Sequence, residues 1–511
     1  MKSFFCKLKN SINNFMKKLS ITPFQIVVFS AVLIFLILIL LKVEIILALI
    51  TAVFYVLIIM SLQKGKLNIF FFFFIMSFFI FLVSGDLFEQ LFGELYWIRF
   101  SKEANLHAHV CILISAVSMG IAYYFLPSSV LTKIKPLNSK SKLLKNEINA
   151  SSSSQNNTIS KIGDIKFVRY TALVLFTIAF IILAINTVHK IIWVSNYGYV
   201  QSYLDYKPLL PSLISEFGDM AFVLLIIYLA TMPERKYCVI PLVLWLLYVC
   251  SSLLTGGRST FIYGVVFVIA YVVYRNNHYS YGKVWIPKKL IIIFIALTPL
   301  LLIFLKVYEY LRVGFDAPED SLWTTFIRFF VDIGSSSKVI KYGYDYKDVI
   351  SDHFKFFSLG EIINYFKYSP IFNWFNQAPP LHSIEYANEG HSFAHYISYL
   401  VMPNDFLNGH GTGSSFIAIL FADFGYVGVA LGSVIYGLFF KQWLNFDKLN
   451  WVGKTMIFYA SYELLLAPRG AYDSFLAILF NVKFILLIVA VWVSSLIVGK
   501  YLLNKRDVEN D

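Results

Sequence analysis

The sequence predicts an all-α, polytopic integral membrane protein. Of its 511 residues, 58% are hydrophobic and only 14% charged. Its mean hydropathy is +0.68, and its apolar runs recur at membrane-crossing length between lysine-rich segments. Soluble domains have about 45–50% apolar and about 25% charged residues, whereas a membrane-crossing helix needs about 20 mostly apolar residues. This composition excludes a soluble enzyme, a secreted scaffold and a nucleic-acid binder. The net charge of +13 is what cytoplasmic loops enriched in Lys and Arg produce.

Twelve apolar runs read as spans: 24–41, 45–62, 68–84, 108–127, 168–188, 214–232, 238–254, 260–274, 290–305, 413–440, 454–467 and 475–499. The first is too long for a signal-peptide core and reads as an anchor. Lys42-Val43-Glu44 joins it to the second as a tight hairpin. Most Lys and Arg fall in the alternate segments that include both termini, which places both ends in the cytoplasm. Cys6, Cys111, Cys238 and Cys250 form neither a disulfide framework nor a zinc-type pair.

The spans divide the chain into three parts. Residues 1–305 carry the first nine, with a flexible cytoplasmic linker at 128–167, where a serine run and seven lysines leave little to bury. Residues 306–412 form a large loop outside the membrane. Its Phe326, Phe329, Phe330 and Ile333, and again its Ile362, Ile363 and Phe366, fall at helical spacing. Such helices lie in the interface plane and make the loop a cap on the outer face. Residues 413–511 carry the last three spans and a cytoplasmic tail.

Arginine is scarce, nine against 34 lysines, and Arg99, Arg258, Arg312, Arg328 and Arg469 fall on the outer side. Leu253-Leu254-Thr255-Gly256-Gly257-Arg258-Ser259-Thr260 ends one span and starts the next. Its glycines suit a left-handed helix end, and Ser259 or Thr260 suits an N-cap. Arg258 is thereby placed beside free N–H groups that favour an anion, with a guanidinium geometry matched to phosphate oxygens. Ala467-Pro468-Arg469-Gly470-Ala471-Tyr472-Asp473-Ser474 repeats the arrangement before the last span. A third outer helix start, Asn408-Gly409-His410-Gly411-Thr412-Gly413-Ser414-Ser415, is glycine-rich with two serines to cap it. Three such starts can converge on one phosphorylated lipid headgroup, with Arg258, Arg469, Ser259 and Ser414 as contacts and Arg312 and Arg328 as auxiliaries from the cap.

His391, His395 and His410 cluster near the outer face. Each can be a satisfied interfacial histidine, a metal ligand if 391 and 395 share a helix face, or a base of near-neutral pKa. Asp405 and Asp473 compete for the base role. Glu216, Asp219, Asp423 and Glu463 fall inside spans, where ionisable groups are costly and point to function. Asp423 and Glu463 can form a proton relay, a sugar contact or a buried pair.

Gly409-His410-Gly411-Thr412-Gly413-Ser414-Ser415-Phe416, followed by Asp423-Phe424-Gly425-Tyr426-Val427-Gly428-Val429-Ala430-Leu431, resembles the Wzy-type polymerases. Thr255-Gly256-Gly257-Arg258-Ser259 and Pro468-Arg469-Gly470 look like that family's arginine-bearing segments. The span count and the single large outer loop late in the chain are similar too. One departure is Ile419, where many members carry a glutamate. The resemblance implies a GT-C-like, inverting, metal-independent glycosyltransferase without cofactor in the bacterial inner membrane. It would join undecaprenyl-pyrophosphate-linked repeat units, donor and acceptor, into O-antigen or capsule at the periplasmic face. A polysaccharide co-polymerase that regulates chain length is a further partner to consider. Arg258 and Arg469 would clamp the pyrophosphate, and His395, His391, His410 or Asp473 would be the base.

Two other readings compete with this one. An O-antigen ligase shares the donor and the topology. A lipid-linked oligosaccharide flippase or proton-coupled transporter suits twelve spans, but would show two related halves with midplane polar groups.

Overall fold

The structure, a computed structural model, describes residues 23–63, 68–93, 100–127, 165–199, 201–278, 284–312, 314, 316, 320–352, 355–369 and 378–509. Nearly all of the predicted linker, the N-terminal tail and Arg99 lie outside them. Among the described residues, every regular element is helical. In chain order, leaving aside the single turn Gln201–Leu204 and the 3-10 turns, the helices up to residue 311 are α1 Pro23–Leu40, α2 Ile45–Ser61, α3 Ile69–Leu82, α4 Ser84–Phe92, α5 Lys102–Tyr124, α6 Ile165–Tyr197, α7 Ser212–Asp219, α8 Ala221–Ala230, α9 Arg235–Ser251, α10 Arg258–His278 and α11 Lys288–Leu311.

Among the described residues eight helices, α7 and α8 counting as one, or nine if α3 and α4 are taken as one crossing bent by 52°, are long and apolar enough to cross a membrane. The four other expected spans are helical but depart from that standard. α1 and α2 are apolar but only 18 and 17 residues long. The third expected span is α3, which breaks at Val83 before α4 continues it. The eleventh is a helix of only 14 residues, Trp451–Leu464.

α3 is the central post. Phe70, Phe71, Phe74 and Phe78 are fully buried and meet rings from five other helices, among them Phe267, Phe458, Tyr436, Phe54 and Tyr123. An aromatic side chain buries about 150–250 Å², so this column supplies much of the cohesion that lipid-facing leucines cannot. At one end of α3, Asn68 Nδ2 donates to Phe440 O at 2.8 Å. At the other, the cap docks.

The cap comprises α12 Leu322–Gly334, α13 Lys338–Asp345, α14 Lys347–Asp352, α15 Gly360–Tyr368, α16 Ile384–Glu389, α17 Phe393–Val401 and α18 Pro403–Leu407. These are the short helices the sequence predicts, but they pack on the bundle. Phe330 stacks on Phe88 with centroids 4.7 Å apart. Lys341 Nζ reaches both oxygens of buried Asp86 at 2.9 and 3.0 Å, and His109 Nε2 lies 3.0 Å from Asp86 Oδ2.

The tenth expected span is two helices. α19, Phe416–Lys441, breaks at Gly425, where φ is 62° and ψ −154°, a region essentially open only to glycine. The halves fold back on each other. Phe416 and Tyr436 rings lie 5.0 Å apart, although twenty residues of continuous helix would separate them by about 30 Å. A Cβ on Gly432 would stand 2.5 Å from Leu420 Cδ1, and one on Gly428 2.5 Å from Phe424 Cβ. Residues 416–424 are thus a re-entrant half-helix antiparallel to residues 426–441. Asp423, near its tip, accepts N–H bonds from Phe357 and Ser358 at 3.2 and 2.7 Å. α20 Trp451–Leu464, α21 Ser474–Phe480 and α22 Val482–Glu509 complete the chain.

Candidate functional site

The three glycine-bearing segments meet in one place. Gly256, with φ +81°, closes the 3-10 turn Ser252–Thr255 in the left-handed region, and the Tyr199 ring occupies the space a side chain there would need. Arg258 then opens α10 directly. Ser259 is therefore the second helical residue and is exposed, not the expected N-cap. Arg258 Nη1 lies 3.0 Å from Glu309 Oε2 on α11 and donates to Leu305 O at 3.4 Å. Lys306 also holds Glu309, at 3.1 Å.

Arg469 ends the 3-10 turn Ala467–Arg469 between α20 and α21. Arg258 and Glu309 lie within its electrostatic reach. The surrounding protein desolvates the guanidinium and, with Arg258 adding, holds its pKa below the usual arginine value, against the pull of the Tyr263 oxygen. Its side chain is nevertheless exposed. Protein on most sides and an open side chain together describe a group that lines a recess. No carboxylate pairs with Arg469 among the described residues, so its charge is uncompensated.

Gly413, φ +80°, faces Arg469: a Cβ built there would lie 3.8 Å from Nε. The next two residues, Ser414 and Ser415, are 5% and 0% exposed, and neither Oγ has a hydrogen-bond partner. Ser415 starts the half-helix without the expected side-chain cap. Buried hydroxyls are normally bonded, so these two are orphans in the packed segment that follows Gly413.

Asp473 is fully buried. Its Oδ2 accepts from Ile362 N at 3.0 Å, fastening the start of α15 to the bundle, while Oδ1 has no partner. Burial pushes its carboxyl up to about 7, with the Glu361 charge adding and the Ile362 N–H opposing.

The other predicted residues are elsewhere. His391 precedes α17 and so shares no helix face with His395. Burial, with Lys367 and Lys355 nearby, lowers its pKa, and its Nδ1 is buried without a partner. His395 sits among Tyr386, His382 and Phe406 rings, with Nδ1 2.8 Å from Ser392 Oγ. Burial and His382 push it down to about 4. His410 is exposed in the glycine-rich loop. Among the described residues, no group of three His, Cys, Asp or Glu is placed to hold a metal. Arg328 pairs with Asp320 at 3.2 Å on α12. Arg312 Nη1 donates to Gly256 O and Tyr199 OH at 3.0 and 3.1 Å, on the wall of a neighbouring cavity of about 440 Å³ that also includes Tyr197 and Tyr308. Asp423 is a cap for the 357–359 turn. Asp405 is exposed on α18, with its carbonyl bonded to His410 N.

Reasoning from sequence alone missed Lys306, Glu309 and Glu361. Lys306 and Glu309, three apart after a run of sixteen residues without a charge, were a readable signal. Glu361 had none, because its place depends on how the cap docks.

A helical bundle with several apolar helices of membrane-crossing length defines a polytopic membrane protein. Residues 21–501, nearly the whole chain, match the family described as O-antigen polysaccharide polymerase Wzy, and the chain belongs to it. This membership supports an O-antigen polymerase role. No curated protein and no solved structure matches the chain.

Proposed function

We propose that this protein joins undecaprenyl-pyrophosphate-linked oligosaccharide repeat units at the periplasmic face of the bacterial inner membrane, by inverting, metal-independent transfer. One lipid-linked chain is the donor and the incoming lipid-linked repeat the acceptor. The acceptor hydroxyl oxygen bonds to the donor's anomeric carbon as the bond to the diphosphate breaks, and the electron pair leaves with undecaprenyl pyrophosphate. Counting α1, α2, the bent α3–α4 pair and α20 as crossings gives twelve, GT-C-like, with both termini cytoplasmic.

The observation that carries this reading is the unpaired Arg469 guanidinium at the meeting point of three helix starts. Charge developing on a leaving diphosphate is stabilised best by cations already in place, and Arg469, backed by Arg258, supplies them. A transporter reading loses one of its supports, because Asp423 is committed to capping the 357–359 turn.

Purified protein reconstituted with an undecaprenyl-pyrophosphate-linked repeat unit should yield a ladder of two, three and more repeats. Arg469→Ala, at normal membrane levels, should slow elongation by about 10²–10³-fold, the usual cost of losing one preorganised charge contact. A ladder unchanged by Arg469→Ala would remove the clamp assignment. Transfer to a lipid A-core acceptor alone would make the protein a ligase, and single repeats moved to the opposite leaflet would make it a flippase.

A further inference from the structure

The proposed transfer needs a group that takes the acceptor hydroxyl's proton; of the five candidates read from the sequence, Asp405 is out on the surface and the other four are poorly placed to do so. His395 is enclosed by Tyr386, His382 and Phe406, and His410 is out on the loop surface. The His391 carbonyl is packed against Gly360, where a Cβ would stand 2.0 Å from it, and Nδ1 of its ring is buried. Asp473 has no exposed surface, and one of its oxygens is committed to Ile362 N. A sugar hydroxyl in the recess cannot reach it without displacing the cap.

Glu361 meets the requirements that these residues fail. It lies in the first turn of α15, the helix start that Asp473 fastens to the bundle through the neighbouring residue Ile362. Its position is therefore set by a buried bond and not by a loose loop. The side chain is exposed, yet Asp473, Glu463 and Tyr386 all lie within its electrostatic reach. Like Arg469, it is open to solvent while protein crowds it, so it lines a recess. No hydrogen bond or ion pair engages its carboxylate among the described residues. Asp473 stands four residues beyond Arg469 in the chain and bonds the residue next to Glu361, so the turn between α20 and α21 carries Arg469 and anchors the helix start that carries Glu361.

We infer that Glu361 is the catalytic base that removes the proton from the acceptor sugar hydroxyl, with Asp473 as the residue that positions it. The inference rests on the proposed polymerase reading. In the step, the acceptor O–H bond breaks toward a Glu361 carboxylate oxygen as the acceptor oxygen bonds to the donor's anomeric carbon. The carbon–oxygen bond to the diphosphate breaks, and its electrons leave with undecaprenyl pyrophosphate. Glu361 ends protonated and returns its proton to water. Surrounding protein raises the Glu361 pKa above that of an ordinary glutamate, which makes its carboxylate a stronger base.

The test uses the full-length protein in proteoliposomes with a lipid-linked repeat unit, scoring both the ladder and the Kd for undecaprenyl pyrophosphate. Glu361→Gln should slow elongation by about 10²–10⁴-fold, the usual contribution of a general base, with Kd unchanged. Glu361→Asp should retain part of the rate and move the acidic limb of the pH–rate profile. A wild-type rate in Glu361→Gln, or a lost rate accompanied by lost diphosphate binding, would overturn the assignment. If Glu361→Gln fails to reach the membrane, the Glu361→Asp profile decides, and an unmoved acidic limb overturns it. The two readings fail separately. Wild-type protein that forms no ladder defeats the polymerase reading, whereas a ladder sensitive to Arg469→Ala but indifferent to Glu361→Gln defeats only the base.

Discussion

Arg258 Nη1 lies 3.0 Å from Glu309 Oε2, while Arg469, close enough to feel both charges, has no carboxylate of its own. The recess therefore holds one neutralised guanidinium and one open one. Glu309 sets how strongly the pair attracts an anion. Glu309→Gln removes a negative charge while Asp332 still holds Lys306. A partly exposed ion pair is worth on the order of 1 kcal/mol, so undecaprenyl pyrophosphate should bind about three- to tenfold more tightly, as read by its Kd in detergent. Weaker binding would show instead that Glu309 serves to hold Arg258 in place.

The half-helix 416–424 depends on the reversal at Gly425. Nothing lies within 4 Å of a Cβ built there, so Gly425→Ala introduces no clash and tests the backbone alone. Holding a non-glycine residue in that region costs about 1–3 kcal/mol, and melting in detergent should fall accordingly. An unchanged melting temperature would mean that the reversal tolerates a side chain.

Asp473 makes stability depend on pH with an unusual sign. Its folded pKa of about 7 stands above the roughly 3.9 of an unfolded aspartate, so between those values the folded state holds more protons. Stability should then fall as pH rises from about 4 to 7, by up to about 1.4 kcal/mol for each pH unit, and level off above. Asp473→Asn keeps an acceptor for Ile362 N and should flatten that slope in melting curves at pH 5, 6, 7 and 8. Parallel curves for the two proteins would refute it.

His395 separates a structural histidine from a catalytic one. With its pKa pushed down to about 4, it is neutral at physiological pH and packs as an aromatic ring. His395→Phe should elongate within about threefold of wild type, the change expected of a residue outside the chemistry. The acidic limb of the pH–rate profile should stay where it is; a displaced limb would return His395 to the list of bases.

What was legible in the sequence was what local chemistry sets. Apolar run length gave the helical, membrane-crossing class, because backbone groups in lipid must bond within their own helix. Glycine next to arginine marked Arg258 and Arg469 as helix-start cations, and their convergence needed only the alternation of spans. Gly428 and Gly432, four apart, already carried the small-residue signature of close helix contact. Tertiary structure decided the rest. An unbroken apolar run reads the same whether it crosses or doubles back, so the reversal at Gly425 was hidden. The pairing of Arg258 with Glu309 joins residues 51 apart, and Glu361 reaches Asp473 across 112. Hydropathy records how readily each residue leaves water, but not which distant charge it will meet there. That choice depends on how the cap docks on the bundle, and it determines which carboxylates are locked away and which one stays open.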